Sequence, residues 1–277
     1  MSVSTWLRKD SDMDHHYRHI RFSYREGVGR IELARPDHLN SLTEIMHEDL
    51  RTVLDFLASK EELRGLLITG TGRGFCAGQD LSERPALPEG QVRDLSVGLK
   101  QNYEPLILRL KALPAPVICF VNGVAAGAGV SLALACDLVY AVRSARFIQA
   151  FTRIGLLPDA GATHALPRLV GAQRAMGAAL FAEPISAETA ERWGLIWRCL
   201  PDEELEATME AVHTRLAHGP TRAYAATKQA LQAATGNTLT EQLDLEAALQ
   251  KSLGLSADYR EGVRAFAEKR QPRFSGS

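Results

Sequence analysis

The chain has 277 residues, 45% of them hydrophobic and 23% charged, with a formal net charge of -1. That balance belongs to a globular protein with a sizeable core, and no apolar run approaches the ~20 residues a membrane span needs. A near-zero charge creates no field for nucleic acid or an acidic membrane, so an anionic ligand must be met by local cations.

The opening stretch MSVSTWLRKDSDMDHHYRH lacks the apolar core of a signal peptide, and a cytoplasmic protein is expected. Residues 1–18 read as an N-terminal arm, with His15 and His16 adjacent rather than at ligand spacing. Next, HIRFSYREGVGRIELARP alternates polar and apolar residues around Gly27-Val28-Gly29 and predicts two strands joined by a tight turn. TEIMHEDLRTVLDFLASK places Ile45, Leu50, Val53, Leu54 and Leu57 at helical spacing, and GLLITGTG predicts a buried strand ending in glycines.

A second round follows: a helix over VRDLSVGLKQNYEPLILRLKAL, a strand over PVICFVNG, a small-residue helix over AGAGVSLALAC and a strand over DLVYAV. Such alternation predicts an α/β core, here bounded at 19–200. From Pro201 to the end, four helical segments separated by Gly or Pro predict a C-terminal helical region, 201–277. Cys76, Cys119, Cys136 and Cys199 are widely spaced with no CxxC pair, which predicts reduced thiols and neither a disulfide framework nor a metal site.

Two glycine-rich segments stand out, GTGRGFCAGQDL (70–81) and NGVAAGAGVSLALACD (122–137). Neither is a P-loop or a GxGxxG dinucleotide fingerprint. Each ends a strand in residues small enough for main-chain N–H groups to turn into a pocket, and the second runs into a helix N-terminus, so together they could bind one oxyanion. The alternative is that the glycines only permit tight turns and close packing. In RIGLLPDAGATHALPRL the single carboxylate, Asp159, follows a proline and precedes small residues; it is either a helix N-cap or a catalyst. Asp80 and Asp137, each after a strand, read as structural acids.

The segments GRGFCAGQDL, PVICFVNGVAAGAGVSLALACDLVYA and GLLPDAGATHALPRLVG resemble, in order and spacing, the signature segments of the enoyl-CoA hydratase/isomerase (crotonase) superfamily. The likeness runs from RIELARPDHLNSL to DYREGVRAFAEKRQPRF. It implies a spiral of ββα units with a C-terminal helical oligomerisation region, a trimer or dimer of trimers, and an acyl-CoA thioester substrate. No cofactor is implied beyond the coenzyme A of the substrate itself, and neither nucleic acid nor membrane is an expected partner. By position, the oxyanion hole falls to the main-chain N–H groups of Gln79 and Ala128; the family usually has glycine at the second place. Arg35, His38 and Ala77 are the implied CoA contacts near the first loop, and Phe266 and Lys269 those of the last helix, which would reach a neighbouring subunit's CoA.

Hydratases of the family carry two glutamates at the places held here by Ser131 and Phe151, and neither residue can activate water or protonate carbon. Both are instead candidate pocket residues. Asp159 falls where the superfamily's isomerases carry their acid, which makes it the expected base for moving a proton along the acyl chain. FCAGQDLSER, RIGLLPDAG, AERWGLIWRC and SADYREGVRAF are further similar to isomerases that convert ring-1,2-epoxyphenylacetyl-CoA to oxepin-CoA in phenylacetate catabolism. A Δ3,Δ2-enoyl-CoA isomerase would use the same groups, and a hydratase, a thioesterase or a non-catalytic binding module would share the fold. GVSLA (129–133) loosely matches a nucleophile elbow with His164 as base, but Ser131 falls inside a helix and not on a turn directly after a strand.

Overall fold

The computed structural model describes residues 13–84, 88 and 91–277. Strands β1 (Met13–His16), β2 (Ile20–Arg25) and β3 (Val28–Leu33) form an antiparallel meander. Here His15 and His16 differ from the expected arm, because they pair with Phe22 and Arg21 as an edge strand; the rest of the arm, 1–12, lies outside the described residues. The hairpin turn falls at Glu26 and Gly27, earlier than predicted, with φ of 50° and 78°. Two successive left-handed residues match the right-handed twist of the strands they join.

Helix α1 (Glu44–Ala58) starts where the Thr43 hydroxyl accepts the Met46 N–H, and it buries Met46, His47, Leu50, Val53, Leu54 and Leu57. After it the chain repeats strand, strand, helix. The first turn is β4 (Gly65–Gly70), β5 (Gly74–Cys76), α2 (Leu95–Gly98), a π-helical turn at Leu99–Tyr103 and α3 (Glu104–Ala112). The second is β6 (Val117–Val121), β7 (Val124–Ala126) and α4 (Ala128–Ala135). The third is β8 (Leu138–Val142), β9 (Arg146–Ile148), a 3-10 turn at Ala150–Ile154, α5 (Ala162–Val170) and α6 (Ala172–Phe181). Then β10 (Ile185–Ser186), α7 (Ala187–Trp193) and β11 (Arg198–Leu200) close the spiral.

Each turn feeds one strand to each of two sheets. The larger has the order β1-β2-β3-β4-β6-β8-β11, parallel from β3 onward, and the smaller β10-β9-β7-β5. β5, β7 and β9 have three residues each, too few to show a period of two, which is why 70–81 and 122–137 read as loops.

Alternate residues of the large sheet face opposite ways. Ile31, Leu66, Ile68, Cys119 and Val121 enter the main core with α1, α3 and α4. Val28, Leu67, Ile118 and Phe120 face outward and are covered by Met209, Leu216 and Ala217 of α8 (Leu205–Ala217). The first C-terminal helix is therefore packed on the core sheet. α9 (Thr221–Ala233), α10 (Leu239–Gly254) and α11 (Ala257–Ala267) follow. Lys228 of α9 ties them down, its ammonium reaching Asp137 at 2.9 Å and the carbonyls of Leu110 and Ala115 at 3.1 and 3.2 Å. Asp137 also accepts the Val117 N–H, so it is a structural acid as expected. The four thiols are free, and no described helix is long and apolar enough to cross a membrane.

Candidate active site

The two glycine-rich segments meet. Residues 77–80 run beside 39–42: the Leu42 N–H donates to Gly78 O at 2.7 Å, and the Asp80 N–H donates to Leu42 O at 2.9 Å. In such a parallel bridge the intervening residue, Gln79, turns its own N–H to the opposite side, away from Leu42. Gly78 (φ 89°) seats this segment on the start of α4, because a Cβ there would lie 2.8 Å from Ala126 O and 3.3 Å from the Ala128 nitrogen. Ala128 is the first residue of α4, and a first-turn N–H has no acceptor within its own helix. The segment that carries Gln79 thus lies against the first residue of α4, at the positive end of a helix dipole, which makes the Gln79 and Ala128 N–H groups candidate oxyanion donors.

The acid closes the site from the third turn. The Ser131 hydroxyl, one helical turn beyond Ala128, donates to the main-chain carbonyl of Asp159 at 2.9 Å. Ala160 and Gly161 then take left-handed conformations, φ 48° and 85°, and turn the chain into α5. Gly161 caps that helix with no side-chain hydrogen bond, so the Asp159 carboxylate does not serve as its N-cap. Its buried Oδ1 meets no hydrogen-bond partner among the described residues. Burial pushes the carboxyl up to about 6, with Arg84 pulling the other way. A carboxylate left this uncompensated is poised to take up a proton near neutrality. Phe151, 7% exposed, lies against Gly127, an ideal Cβ of which would be 3.8 Å from the ring. Ser131 and Phe151 therefore do stand beside the Asp159 and Gly127 segments, without supplying an acid.

Sequence reasoning missed two neighbours, Tyr103 and Arg84. The buried Tyr103 hydroxyl donates to the Gln79 side-chain oxygen at 2.5 Å, and Arg84 reaches the same oxygen at 3.4 Å. Burial holds the Tyr103 phenol well above the usual tyrosine range, with the charges of Cys76 and Asp159 adding to it. Ile107, one turn further along α3, faces Gly161 beside Asp159. The available signal was Pro105, which has no N–H and crowds the carbonyl four residues back; the π turn before α3 absorbs this misfit.

The implied CoA contacts fare unevenly. Arg35 is paired within the fold: its guanidinium meets Asp80 at 2.8 Å and donates to Ser41, bracing the 35–41 turn against the loop. Asp80, held well below the usual carboxylate range first by Ser82 and also by Arg35 and Ser41, is structural as expected. His38 is exposed on a 3-10 turn beside Ala77, whose N–H donates to Leu39 O. Phe266, 87% exposed, lies in the last turn of α11, and Lys269 two residues beyond the end of that helix, which packs on α10.

Two sheets wound as a spiral, with two glycine-rich segments meeting at the start of a helix and one carboxylate nearby, make an arrangement suited to an enzyme that stabilises an enolate. The chain belongs to the enoyl-CoA hydratase/isomerase family, which it matches over residues 23–277. It is 50% identical to the 1,2-epoxyphenylacetyl-CoA isomerase of Escherichia coli, over 91% of this chain and 96% of that one. It is 51% identical to the Rhodobacter capsulatus "Probable enoyl-CoA hydratase", over 94% and 99%. Among solved structures, the enoyl-CoA hydratase of Bacillus anthracis superposes with a TM-score of 0.87 at 31% identity, covering 94% of this chain and all of that one. The crotonase-type spiral expected from sequence is therefore its fold. Relatives of nearly equal identity bear the names of different reactions, so the reaction must be argued from the site.

Proposed function

We propose that the protein is an acyl-CoA isomerase transposing a C=C bond, with ring-1,2-epoxyphenylacetyl-CoA as substrate and oxepin-CoA as product. The observation that carries this reading is Asp159: a half-buried carboxylate, not a cap, raised to about 6, next to the segment that presents the Ala128 N–H. The thioester oxygen sits between the Gln79 and Ala128 N–H groups. For the ring epoxide, the C–C bond shared by the epoxide and the six-membered ring opens electrocyclically to give the seven-membered oxepin. Asp159 takes a proton from the carbon next to the carbonyl, the two donors hold the enolate, and the same acid returns the proton further along the conjugated system, so that no atom is gained or lost. Adding water needs a second acid–base group, and Ser131 and Phe151 offer none. Phe151 also supplies an apolar wall that suits a ring.

The name of the Escherichia coli relative supports the ring epoxide. A Δ3,Δ2-enoyl-CoA is the second reading, because the proton shuttle makes no distinction between ring and chain. Coenzyme A enters as part of the substrate, with no further cofactor, and His38, Ala77 and, from a neighbouring subunit, Phe266 and Lys269 hold it. A cytoplasmic trimer or dimer of trimers fits the exposed Leu239, Leu243, Leu255, Tyr259, Val263 and Phe266 of the last helices and their surroundings.

Mass-spectrometric assay against ring-1,2-epoxyphenylacetyl-CoA, 3-hexenoyl-CoA and crotonyl-CoA side by side tests the reading. Turnover of the first, slower turnover of the second and negligible hydration of the third are expected. Crotonyl-CoA hydration as fast as either isomerisation would overturn it.

A further inference from the structure

We infer that Tyr103 is a positioning residue for the oxyanion hole: its hydroxyl, bonded to the Gln79 side chain, fixes the direction in which the Gln79 main-chain N–H points. This rests on the reading that Gln79 and Ala128 hold the thioester oxygen.

The main chain on either side of Gln79 is hydrogen-bonded to Leu42 and packed by Gly78 against the start of α4. Those bonds use Gly78 O and the Asp80 N–H, and neither uses the N–H of Gln79 itself. The side chain supplies a further anchor. Its oxygen accepts from Tyr103 at 2.5 Å and from Arg84 at the longer distance of 3.4 Å. Tyr103 is itself immobilised: it is 4% exposed, and its ring meets His47 edge-on with centroids 4.5 Å apart. His47 belongs to α1, and its two buried ring nitrogens find no hydrogen-bond partner among the described residues, so its contact with Tyr103 is one of packing. The π turn ending at Tyr103 places this residue where α2 and α3 join. A rigid phenol thus transmits the position of two helices to one amide. An oxyanion donor is worth its full effect only when aimed before the charge develops, and small misplacements are costly.

The test uses the whole protein and phenylacetyl-CoA labelled with 13C at the thioester carbonyl, a probe that binds without isomerising. Infrared difference spectra report how far the bound C=O stretch moves to lower frequency under the two donors. For Tyr103→Phe, which keeps the ring, we expect part of that shift to be lost, with kcat falling roughly tenfold and KM within about twofold. The pH midpoint of kcat/KM, which belongs to Asp159, should stay in place. Gln79→Leu removes the same bond from the other side, and the double variant should be no worse than the poorer single one. An unchanged carbonyl band, a displaced pH midpoint with the band intact, or losses that multiply in the double variant would each overturn the inference. A wild-type protein that leaves the carbonyl unshifted would defeat the oxyanion-hole reading, and this inference with it; a wild-type shift that survives Tyr103→Phe defeats the inference alone.

Discussion

Asp159 holds a carboxylate in a place that costs the fold something, and the cost has a pH signature. Its folded value of about 6 exceeds the ordinary 3.8. Below 3.8 both folded and unfolded chains are protonated there and nothing is lost. Between the two values only the unfolded chain gives up its proton, so stability falls as pH rises, and above about 6 the penalty is constant. Asp159→Asn should therefore melt at a higher temperature than wild type at pH 7.5, the gap closing towards pH 4, as calorimetry can check. The same substitution should lower isomerisation by about 10²–10⁴-fold while acyl-CoA binding persists. In the wild type, kcat/KM should decline on the acid side of about pH 6, where Asp159 is protonated. A more stable and inactive variant separates a catalyst from a cap, a choice RIGLLPDAG alone left open. Gln79, Ala128, Ser131 and Asp159 could be singled out as candidates because they fall in the segments that resemble the family, and Phe151 lies just before one of them. Tyr103 was marked only by Pro105 two residues on, which points to a disturbed helix and not to the hydrogen bond that Tyr103 makes, and nothing marked Arg84.

α4 shows how closely two elements approach to form the anion hole. A Cβ at Gly129 would sit 2.1 Å from Cys76 O, a main-chain atom that cannot move without dragging β5. Gly129→Ala should cost several kcal/mol, roughly 3 or more, and displace Ala128, so denaturant melts and activity should fall together. Close packing, one of the two readings of the glycines, holds at Gly129, one position from the Ala128 N–H proposed to hold the thioester oxygen. Further along, Lys228→Ala would leave Asp137 partly buried without its counter-charge and two carbonyls without a donor; a loss of about 3 kcal/mol is expected in urea denaturation. The helices were legible from their periodicity. The three-residue strands were not, because their pairing is dictated by the winding of the chain and not by any local pattern.

The whole molecule leaves α10 without a buried residue and Phe266 exposed at the end of α11. Sedimentation should find the protein associated, and truncation before Ala257 should weaken CoA-ester affinity in a chain that stays folded. Unaltered affinity in that truncated form would remove the last helix from the CoA site. The sequence carried the α/β class, the helical tail and, through its resemblance, the spiral. It did not show that α8 covers the outer face of the large sheet, because Met209, Leu216 and Ala217 read only as one side of one helix among four.

The spiral also sets a timetable. Gln79, Ala128 and Asp159 come from successive turns, so no two-turn fragment possesses the site. During synthesis at ~5–20 residues per second, the 80 positions from Gln79 to Asp159 take on the order of 4–16 s to emerge. Over that interval β4, then β6, then β8 is the newest parallel strand of the large sheet, its outer edge unpaired and its residues mostly apolar. The growing chain is then most exposed to wrong partners, and each added turn covers the edge that the one before left open.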